Sequence, residues 1–338
     1  MKRKKQILIP VMLLVLFLAM TAGCSWFRRT PEKAPLPENN KGDKKPIPQV
    51  TIPDPINRGA RREPVLKVYV ADKGQIETMK FEDYIQGVVA AEMDPEWPQE
   101  AFAAQAIIAR SFTLQKIAED GGVPARKAHA STDIKEFQAY DASRVNDNVR
   151  KAVNSSRGQV AVYGDEFIRG WFHAYAGPRT ALATEGLEYE GPNPPYIRIV
   201  DSPAEGTVPE EEKNWRVSYP LSRIRAVTRE ITGKDPGKVE KVEIAAKGPS
   251  GRATRLRVNN VEVSCPELRL ALDSTQMRST YLTALKIENG QLVMEGSGYG
   301  HGVGMCQWGA RSLAEEGKSA EEIVRYYYRN IEIIRLWE

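Results

Sequence analysis

The sequence predicts an α+β protein in which mixed helices and an antiparallel-rich sheet form a two-lobed body around a central groove. Apolar residues recur at helical spacing in some segments and alternate in others, which indicates both kinds of element. Helices and strands follow each other irregularly, unlike the regular succession of a doubly wound sheet. The 338 residues are 41% hydrophobic, so most of the chain is expected to fold around a sizeable core.

The first 28 residues predict a membrane anchor or signal segment. The basic start MKRKK precedes an apolar run from Ile7 to Phe27, and about 20 such residues cross a bilayer. The positive end should stay in the cytoplasm, which places the rest of the chain outside. An uncleaved single-pass anchor is favoured because Thr21 stands where lipoprotein cleavage sites usually have leucine. The alternative is a lipid anchor at Cys24.

Residues 29–64 predict a flexible linker, and residues 65–338 predict the folded domain. The linker is rich in proline, lysine and asparagine and poor in large apolar residues, so it cannot bury enough surface to fold. The formal charge of +4 is mild and the basic residues are scattered, which argues against nucleic acid as a partner.

Alternation and helical periodicity place the elements of the folded domain in order. An alternating strand at Val65–Val70 comes first, followed by helices over Phe81–Met93 and from Pro98 to about Ala118. The later segments divide into strands at Gln159–Val162, Phe167–Ala174, Val239–Ala246, Thr254–Val258 and Gln291–Met294, and helices at Leu221–Thr232, Pro266–Leu272 and Ala314–Tyr328.

Glu92 is placed on the apolar face of the first helix. It follows Ile85 by two helical turns and Val88 by one. An apolar setting disfavours the charged carboxylate and raises its pKa, as a general acid near neutral pH requires. The alternative is a glutamate at a helix end that simply reaches solvent.

Arg110 lies within a helix that is apolar or small on nearly every side. A buried guanidinium needs a carboxylate, backbone carbonyls or a ligand as its partner. The sequence leaves two interpretations open: an internal salt bridge, with Glu92 among the possible partners, or an arginine that lines a cleft.

Residues 296–310, GSGYGHGVGMCQWGA, place glycine at every second position from 298 to 304. In an extended chain this pattern puts Tyr299 and His301 on one face and bare backbone on the other, where a ligand can approach. The alternative is a tight glycine-rich bend. No dinucleotide-binding loop is indicated, because no helix opens after the expected glycine spacing.

Two further clusters combine aromatic and polar residues next to turns, as sugar-binding sites do. His173 and Tyr175 lie in WFHAYAG, and Tyr196 and Arg198 lie in PYIR after a proline-rich loop. The three histidines show no zinc-motif spacing, so no metal is expected. Cys265 and Cys306 are expected to be free thiols.

Five stretches in the right order resemble the stage II sporulation protein D family, which includes amidase-enhancer domains. The resemblance runs from about Phe81 to Tyr328. It is carried by YIQGVVAAEMDPEWPQEAFAAQAIIARSF, FHAYAG, PYIRIVDSP, ELRLALDSTQMRST and GYGHGVGMCQWGARSLAEEGKSAEEIVRYYY.

The resemblance implies a peptidoglycan lytic transglycosylase that acts during engulfment in endospore formation. Its substrate would be glycan strands already stripped of stem peptides by a partner amidase, within a membrane-bound engulfment machinery. The family's catalytic glutamate corresponds to Glu92, and its glycan-contacting residues correspond to Arg110, Tyr196 and Arg198. Some relatives hold zinc near the position of His129. This chain lacks the cysteines for it, so neither metal nor cofactor is expected.

The resemblance leaves a rival function open, and the residues leave another. The first is a non-catalytic wall-binding module that activates an amidase, although retention of Glu92 favours the enzyme. The second is a nucleophile–base pair of Cys306 and His301, as in cysteine peptidases. On an extended strand these two side chains face opposite sides, and no third residue follows to orient the base.

Overall fold

The computed structural model describes residues 48–338 and confirms an α+β fold made of several small sheets. Its helices are α1 (Phe81–Glu92), α2 (Gln99–Asp120), α3 (Asp147–Ser155), α4 (Ala183–Gly186), α5 (Glu210–Lys213), α6 (Leu221–Thr232), α7 (Cys265–Ala271), α8 (Gln307–Glu315) and α9 (Ala320–Tyr327). Its strands are β1 (Val65–Val70), β2 (Gln75–Lys80), β3 (Ala130–Ser131), β4 (Gln159–Tyr163), β5 (Glu166–Phe167), β6 (Phe172–His173), β7 (Asn214–Pro220), β8 (Val242–Lys247), β9 (Ala253–Val258), β10 (Val261–Ser264), β11 (Leu282–Glu288), β12 (Gln291–Ser297), β13 (Met305–Cys306) and β14 (Glu332–Arg335).

The sheets are small and mostly antiparallel. The strand orders are β2-β1-β3, β10-β9-β8, β11-β12-β7, β13-β6 and β14-β4-β5. Only the β1–β3 and β13–β6 pairs among these strands run parallel. The sequence predicts an antiparallel-rich fold correctly, but the described residues divide their strands among separate sheets rather than one.

Buried hydrophobic side chains form two clusters. The first gathers α1, α2, β4, α8 and α9, with the long apolar face of α2 at its centre. The second is built from residues 215–294, which include β7–β12 and the helices α6 and α7. The first cluster is the one that supports Glu92, because it contains the apolar residues of α1.

The predicted anchor, residues 1–28, and residues 29–47 of the predicted linker lie outside the described residues. Farther along that linker, Ile52 and Ile56 are buried in the first cluster, so the chain already packs against the core ahead of Val65. Within residues 48–338, no helix has both the length and the apolar character needed to cross a bilayer. The division into anchor, linker and folded domain stays a prediction.

Two predicted elements are interrupted in the structure. The strand expected over Phe167–Ala174 is split into β5 and β6, and a Cβ on the intervening Gly170 would lie 2.5 Å from the carbonyl oxygen of Ile108. The helix expected over Ala314–Tyr328 is two helices. Gly317 adopts a left-handed φ of 82° between them, and Ser319 then caps α9 in a capping box.

Candidate active site

Glu92 is the last residue of α1, and its side chain lies between two distant parts of the chain. Its Oε1 accepts a hydrogen bond from the backbone N–H of Ala139 at 3.3 Å. Its Oε2 accepts one from Nε2 of Gln307 at 3.4 Å. Glu92 keeps some solvent exposure, while its neighbours Val89, Ala90 and Met93 are buried. The carboxyl group is therefore reachable from solvent and held on two sides.

Burial raises the pKa of Glu92 to about 6, although the hydrogen bonds from Gln307 and Ala139 act in the opposite direction. Desolvation wins because both donors are neutral and their hydrogen bonds are long. A carboxyl group with this pKa is partly protonated near neutral pH and can donate a proton. The direction agrees with what the apolar helix face predicts.

The sequence did not single out Gln307, Trp308 or Arg311, of which Gln307 contacts Glu92 and the other two follow it on α8. Gln307 begins α8, and Trp308 lies 4.7 Å from Trp97, measured between ring centroids. The Arg311 guanidinium lies 5.1 Å from the centroid of Trp308 and 5.5 Å from that of Trp97. The available signal was the QWGAR stretch after the glycine run, since an amide, an aromatic ring and a cation follow one another there.

The segment that holds His173 and Tyr175 lies beside the segment that holds Tyr299 and His301. The backbones of Tyr175 and Tyr299 exchange hydrogen bonds of 3.0 and 2.7 Å. The rings of His173 and His301 lie 5.6 Å apart. Burial, with Arg269 and Arg252 nearby, lowers the pKa of His301 to about 3, and burial lowers that of His173 well below its usual range. Both rings are neutral at pH 7.

The glycine run does not form the extended strand that its alternation predicts. Gly302 and Gly304 adopt φ values of 83° and 73°, in the left-handed region that favours glycine. A Cβ on Gly304 would lie 2.0 Å from the carbonyl oxygen of Trp171, and one on Gly302 would lie 2.3 Å from the Arg252 guanidinium. These two glycines are therefore explained by backbone conformation and close packing, which is the glycine-rich bend considered as the alternative.

Cys306 is a helix cap in this structure. Its Sγ accepts hydrogen bonds from the backbone N–H groups of Gly309 and Ala176, both at 3.3 Å. Burial raises the pKa of the thiol, so the thiolate that a nucleophile needs is disfavoured. His301 Nδ1 accepts from the backbone N–H of Val303 instead of contacting the sulfur. Cys306 and Cys265 are both free, buried thiols.

The Tyr196 hydroxyl and two of the three guanidinium nitrogens of Arg198 form hydrogen bonds within the protein itself. The Tyr196 hydroxyl accepts a hydrogen bond of 2.9 Å from the backbone N–H of Arg169, and its ring is buried. Arg198 donates from Nε to the carbonyl of Tyr326 and from Nη2 to that of Arg325, at 3.1 and 2.9 Å. It thus binds the end of α9. Contact of either residue with glycan stays a prediction.

Arg110 forms an internal salt bridge, the first of the two interpretations that the sequence leaves open, but its partner is Glu82 and its side chain is 0% exposed. Nη2 of Arg110 lies 2.7 Å from Oε2 of Glu82 and donates to the carbonyl of Val153 at 2.9 Å. Glu82 also accepts from Nε1 of Trp337. A guanidinium enclosed in this way has no surface left for a sugar, and its role is to join α1, α2, α3 and the C-terminus.

Metal-binding geometry is absent from residues 48–338, where no three histidine, cysteine, aspartate or glutamate side chains converge. His129 instead accepts a hydrogen bond of 3.0 Å from the backbone N–H of Lys67 through Nδ1. This contact gives His129 a structural role beside β1.

Two family models match the chain. The model described as "Stage II sporulation protein" matches residues 69–163, which hold Glu92 and Ala139. A model described as a domain of unknown function (DUF8618) matches residues 206–304, nearly the span of the second hydrophobic cluster.

Similar proteins cover most of the chain. A protein of Brachyspira hyodysenteriae named as uncharacterized is 30% identical over 263 residues, which is 77% of this chain and 68% of the relative. Stage II sporulation protein D of Bacillus subtilis is 29% identical over 305 residues, covering 82% of each chain. The amidase enhancer of Bacillus subtilis is 26% identical over 287 residues, 72% of this chain and 39% of that protein.

Proposed function

Because this chain belongs to the stage II sporulation protein D family, we propose that it is a peptidoglycan lytic transglycosylase. Its substrate is the glycan strand from which an amidase has removed the stem peptides, cut between N-acetylmuramic acid and N-acetylglucosamine during engulfment in endospore formation. The observation that carries the proposal is Glu92, a half-buried carboxyl group whose pKa is raised to about 6.

One carboxyl group is sufficient for this reaction. Protonated Glu92 donates its proton to the glycosidic oxygen, the bond from that oxygen to C1 of muramic acid breaks, and positive charge develops at C1. The Glu92 carboxylate then takes the proton of the 6-hydroxyl group of the same sugar while O6 bonds to C1. The product ends in 1,6-anhydro-muramic acid and the acid is regenerated, so no water and no second carboxylate is needed, unlike in hydrolysis.

The surroundings of Glu92 suit both steps. The N–H groups of Ala139 and Gln307 hold the two carboxyl oxygens in place during proton transfer and partly stabilise the carboxylate form. Desolvation keeps the acid form accessible. We expect cleavage to slow as the pH rises through about 6, because the fraction of protonated Glu92 falls.

The proposed location follows from the predicted anchor, and the proposed partners follow from the family resemblance. We propose that the chain is held at the outer face of the cell membrane by residues 1–28, as a single span or less favourably by lipid at Cys24. There it works beside an amidase and a membrane scaffold of the engulfment machinery. The relative named amidase enhancer supports the link to an amidase.

The same relative favours one other function, a wall-binding activator of an amidase without catalysis of its own. The two functions make different demands on Glu92. A binding module does not need a carboxyl group held by two donors with a raised pKa, whereas a lytic transglycosylase does.

The deciding experiment digests peptide-free glycan strands with the purified full-length chain and with the Glu92→Gln variant. Mass spectrometry should find ends in 1,6-anhydro-muramic acid with the parent protein, and the variant should produce at least 100-fold fewer, on the order of what general acid catalysis contributes. If neither protein cleaves while both accelerate a peptidoglycan amidase equally, the activator is the correct function and the enzyme proposal fails.

A further inference from the structure

A cation and two indole rings meet at the start of α8, whose first residue, Gln307, contacts the proposed acid. This group, Trp97, Trp308 and Arg311, is called the indole–arginine cluster below. Gln307 and Arg311 are four positions apart on α8 and so share a helix face, with Cβ atoms about 5–6 Å apart. Since Gln307 touches Glu92, Arg311 stands one helical turn from the residue that holds the acid.

Arg311 is available to a ligand. Its side chain is 31% exposed, and its hydrogen bond among the described residues runs from Nε to Glu315 at 2.8 Å, which leaves both terminal amino groups without a protein acceptor there. The Glu315 pair is an exposed i,i+4 contact, a kind that contributes little and exchanges readily. A ligand carboxylate can therefore bind the terminal amino groups at small cost.

The two indole rings fix where the guanidinium points. The guanidinium lies over both rings, and the rings contact each other at 55°. Stacking on aromatic faces orients the planar guanidinium and reduces the entropy that it loses on binding. Trp97 is buried and Trp308 keeps exposed surface, so Trp308 offers an apolar face on which a sugar ring can rest.

We propose that the indole–arginine cluster recognises the free lactyl carboxylate of muramic acid in stripped glycan strands. This inference rests on the proposed function, because it concerns the sugars that reach Glu92. Hydrolysis of the bond between the lactyl group and the first amino acid of the stem peptide leaves a carboxylate on each muramic acid. Where the peptide remains, the same carbonyl belongs to a neutral amide. An amide cannot form a bidentate charged pair with Arg311.

The proposed function already places amide hydrolysis before glycan cleavage, and the charge on the lactyl group gives that order a chemical reason. Amide hydrolysis must come first, because it creates the charge that Arg311 reads, and cleavage of the glycan follows. Trp308 contacts the sugar ring in either state and contributes affinity without discrimination. Arg311 supplies the discrimination.

The test measures binding of a muramic-acid-containing tetrasaccharide in two forms, with free lactyl carboxylates and with these converted to methylamides. The full-length Glu92→Gln protein is used so that nothing is cleaved. We expect it to bind the carboxylate form about tenfold more tightly, the affinity of one charge-assisted hydrogen-bonded pair. Adding Arg311→Gln should abolish the preference, because the lactyl carboxylate then has no cation to pair with.

Matched variants separate recognition from general effects. Arg216→Gln removes an exposed arginine from β7 and should retain the preference, which controls for net charge. Trp308→Ala should weaken the binding of both saccharide forms alike. Arg311→Lys keeps the charge without the planar fork and should retain part of the preference, which also shows that the site folds.

Three results would decide against the inference. It is overturned if the tenfold preference remains after Arg311→Gln is added, or if the Glu92→Gln protein itself binds both saccharide forms equally. If the Glu92→Gln protein binds neither saccharide form, the premise that this chain binds glycan fails as well. If the Glu92→Gln protein discriminates through Arg311 but the unaltered protein cleaves nothing, only the proposed enzyme activity is contradicted.

Discussion

At the scale of single residues, Glu92 is defined by the balance between desolvation and two neutral donors. A raised carboxyl pKa means that the folded state holds the proton more tightly than the unfolded chain does. Ionisation of Glu92 therefore costs folding free energy, and the cost is present above about pH 6 and disappears as the pH falls below the ordinary value of 4.5. The residue that is proposed to donate the proton is thus also a small source of instability at neutral pH.

Glu92→Gln should stabilise the fold at pH 8 and leave it unchanged at pH 4. The difference between pKa values of 4.5 and about 6 corresponds to a gain of up to about 2 kcal/mol, because glutamine cannot ionise. Urea denaturation at the two pH values measures it. The control is Glu96→Gln, which removes an exposed charge a few residues away. A variant less stable than the parent at pH 8 would mean that the carboxylate is favourably paired.

At the scale of elements, the glycine-rich segment before α8 determines where Gln307 and Arg311 lie. Gly304 occupies a left-handed conformation at a point where the backbone of Trp171 leaves no room for a Cβ. The segment then enters the short strand β13, which pairs with β6, and α8 begins directly afterwards. The glycines thus allow the close approach that sets the start of α8 against Glu92.

Gly304→Ala should destabilise the protein by about 2–5 kcal/mol, the sum of a left-handed conformation and a steric clash. Gly317→Ala is the matched control, because Gly317 has a similar φ of 82° but nothing within 4 Å of an added Cβ. That control should cost only about 1–2 kcal/mol. Chemical denaturation compares the two, and equal losses would show that the clash is relieved by local movement.

At the scale of the whole molecule, the buried pair of Glu82 and Arg110 connects distant parts of the chain. Glu82 accepts hydrogen bonds from Arg110, from the backbone N–H of Gly158 and from the indole of Trp337, which lies next to the C-terminal residue. Every charged oxygen is satisfied, which is the condition for retaining a buried ion pair. Its loss should therefore weaken the entire first hydrophobic cluster.

Arg110→Met should destabilise the fold by about 3–5 kcal/mol, because Glu82 is left as an unpaired buried charge. The double variant Glu82→Leu/Arg110→Met should recover part of this loss, since no charge then remains in the core. Thermal and urea unfolding of the single and double variants provide the comparison. If Arg110→Met retained full stability but lost glycan binding, a direct contact with substrate would replace the structural role.

Local sequence determined much of the fold and the setting of the proposed acid. The bounds of β1 and α6 match their predictions, and α1 ends one residue before the predicted end. Alternation and helical spacing report on burial within one element, and that was sufficient to place Glu92 in an apolar setting. The resemblance to the family rests on the same linear information.

Only the tertiary structure determined which residues contact one another. Gln307 is 215 residues from Glu92, and Arg110 pairs with Glu82 and not with Glu92. The glycine run is a bend, because its φ values and the nearby Trp171 backbone are set by chain packing. Periodicity shows which face of an element is buried, whereas the residue across the contact depends on how distant elements pack, and no local pattern encodes it.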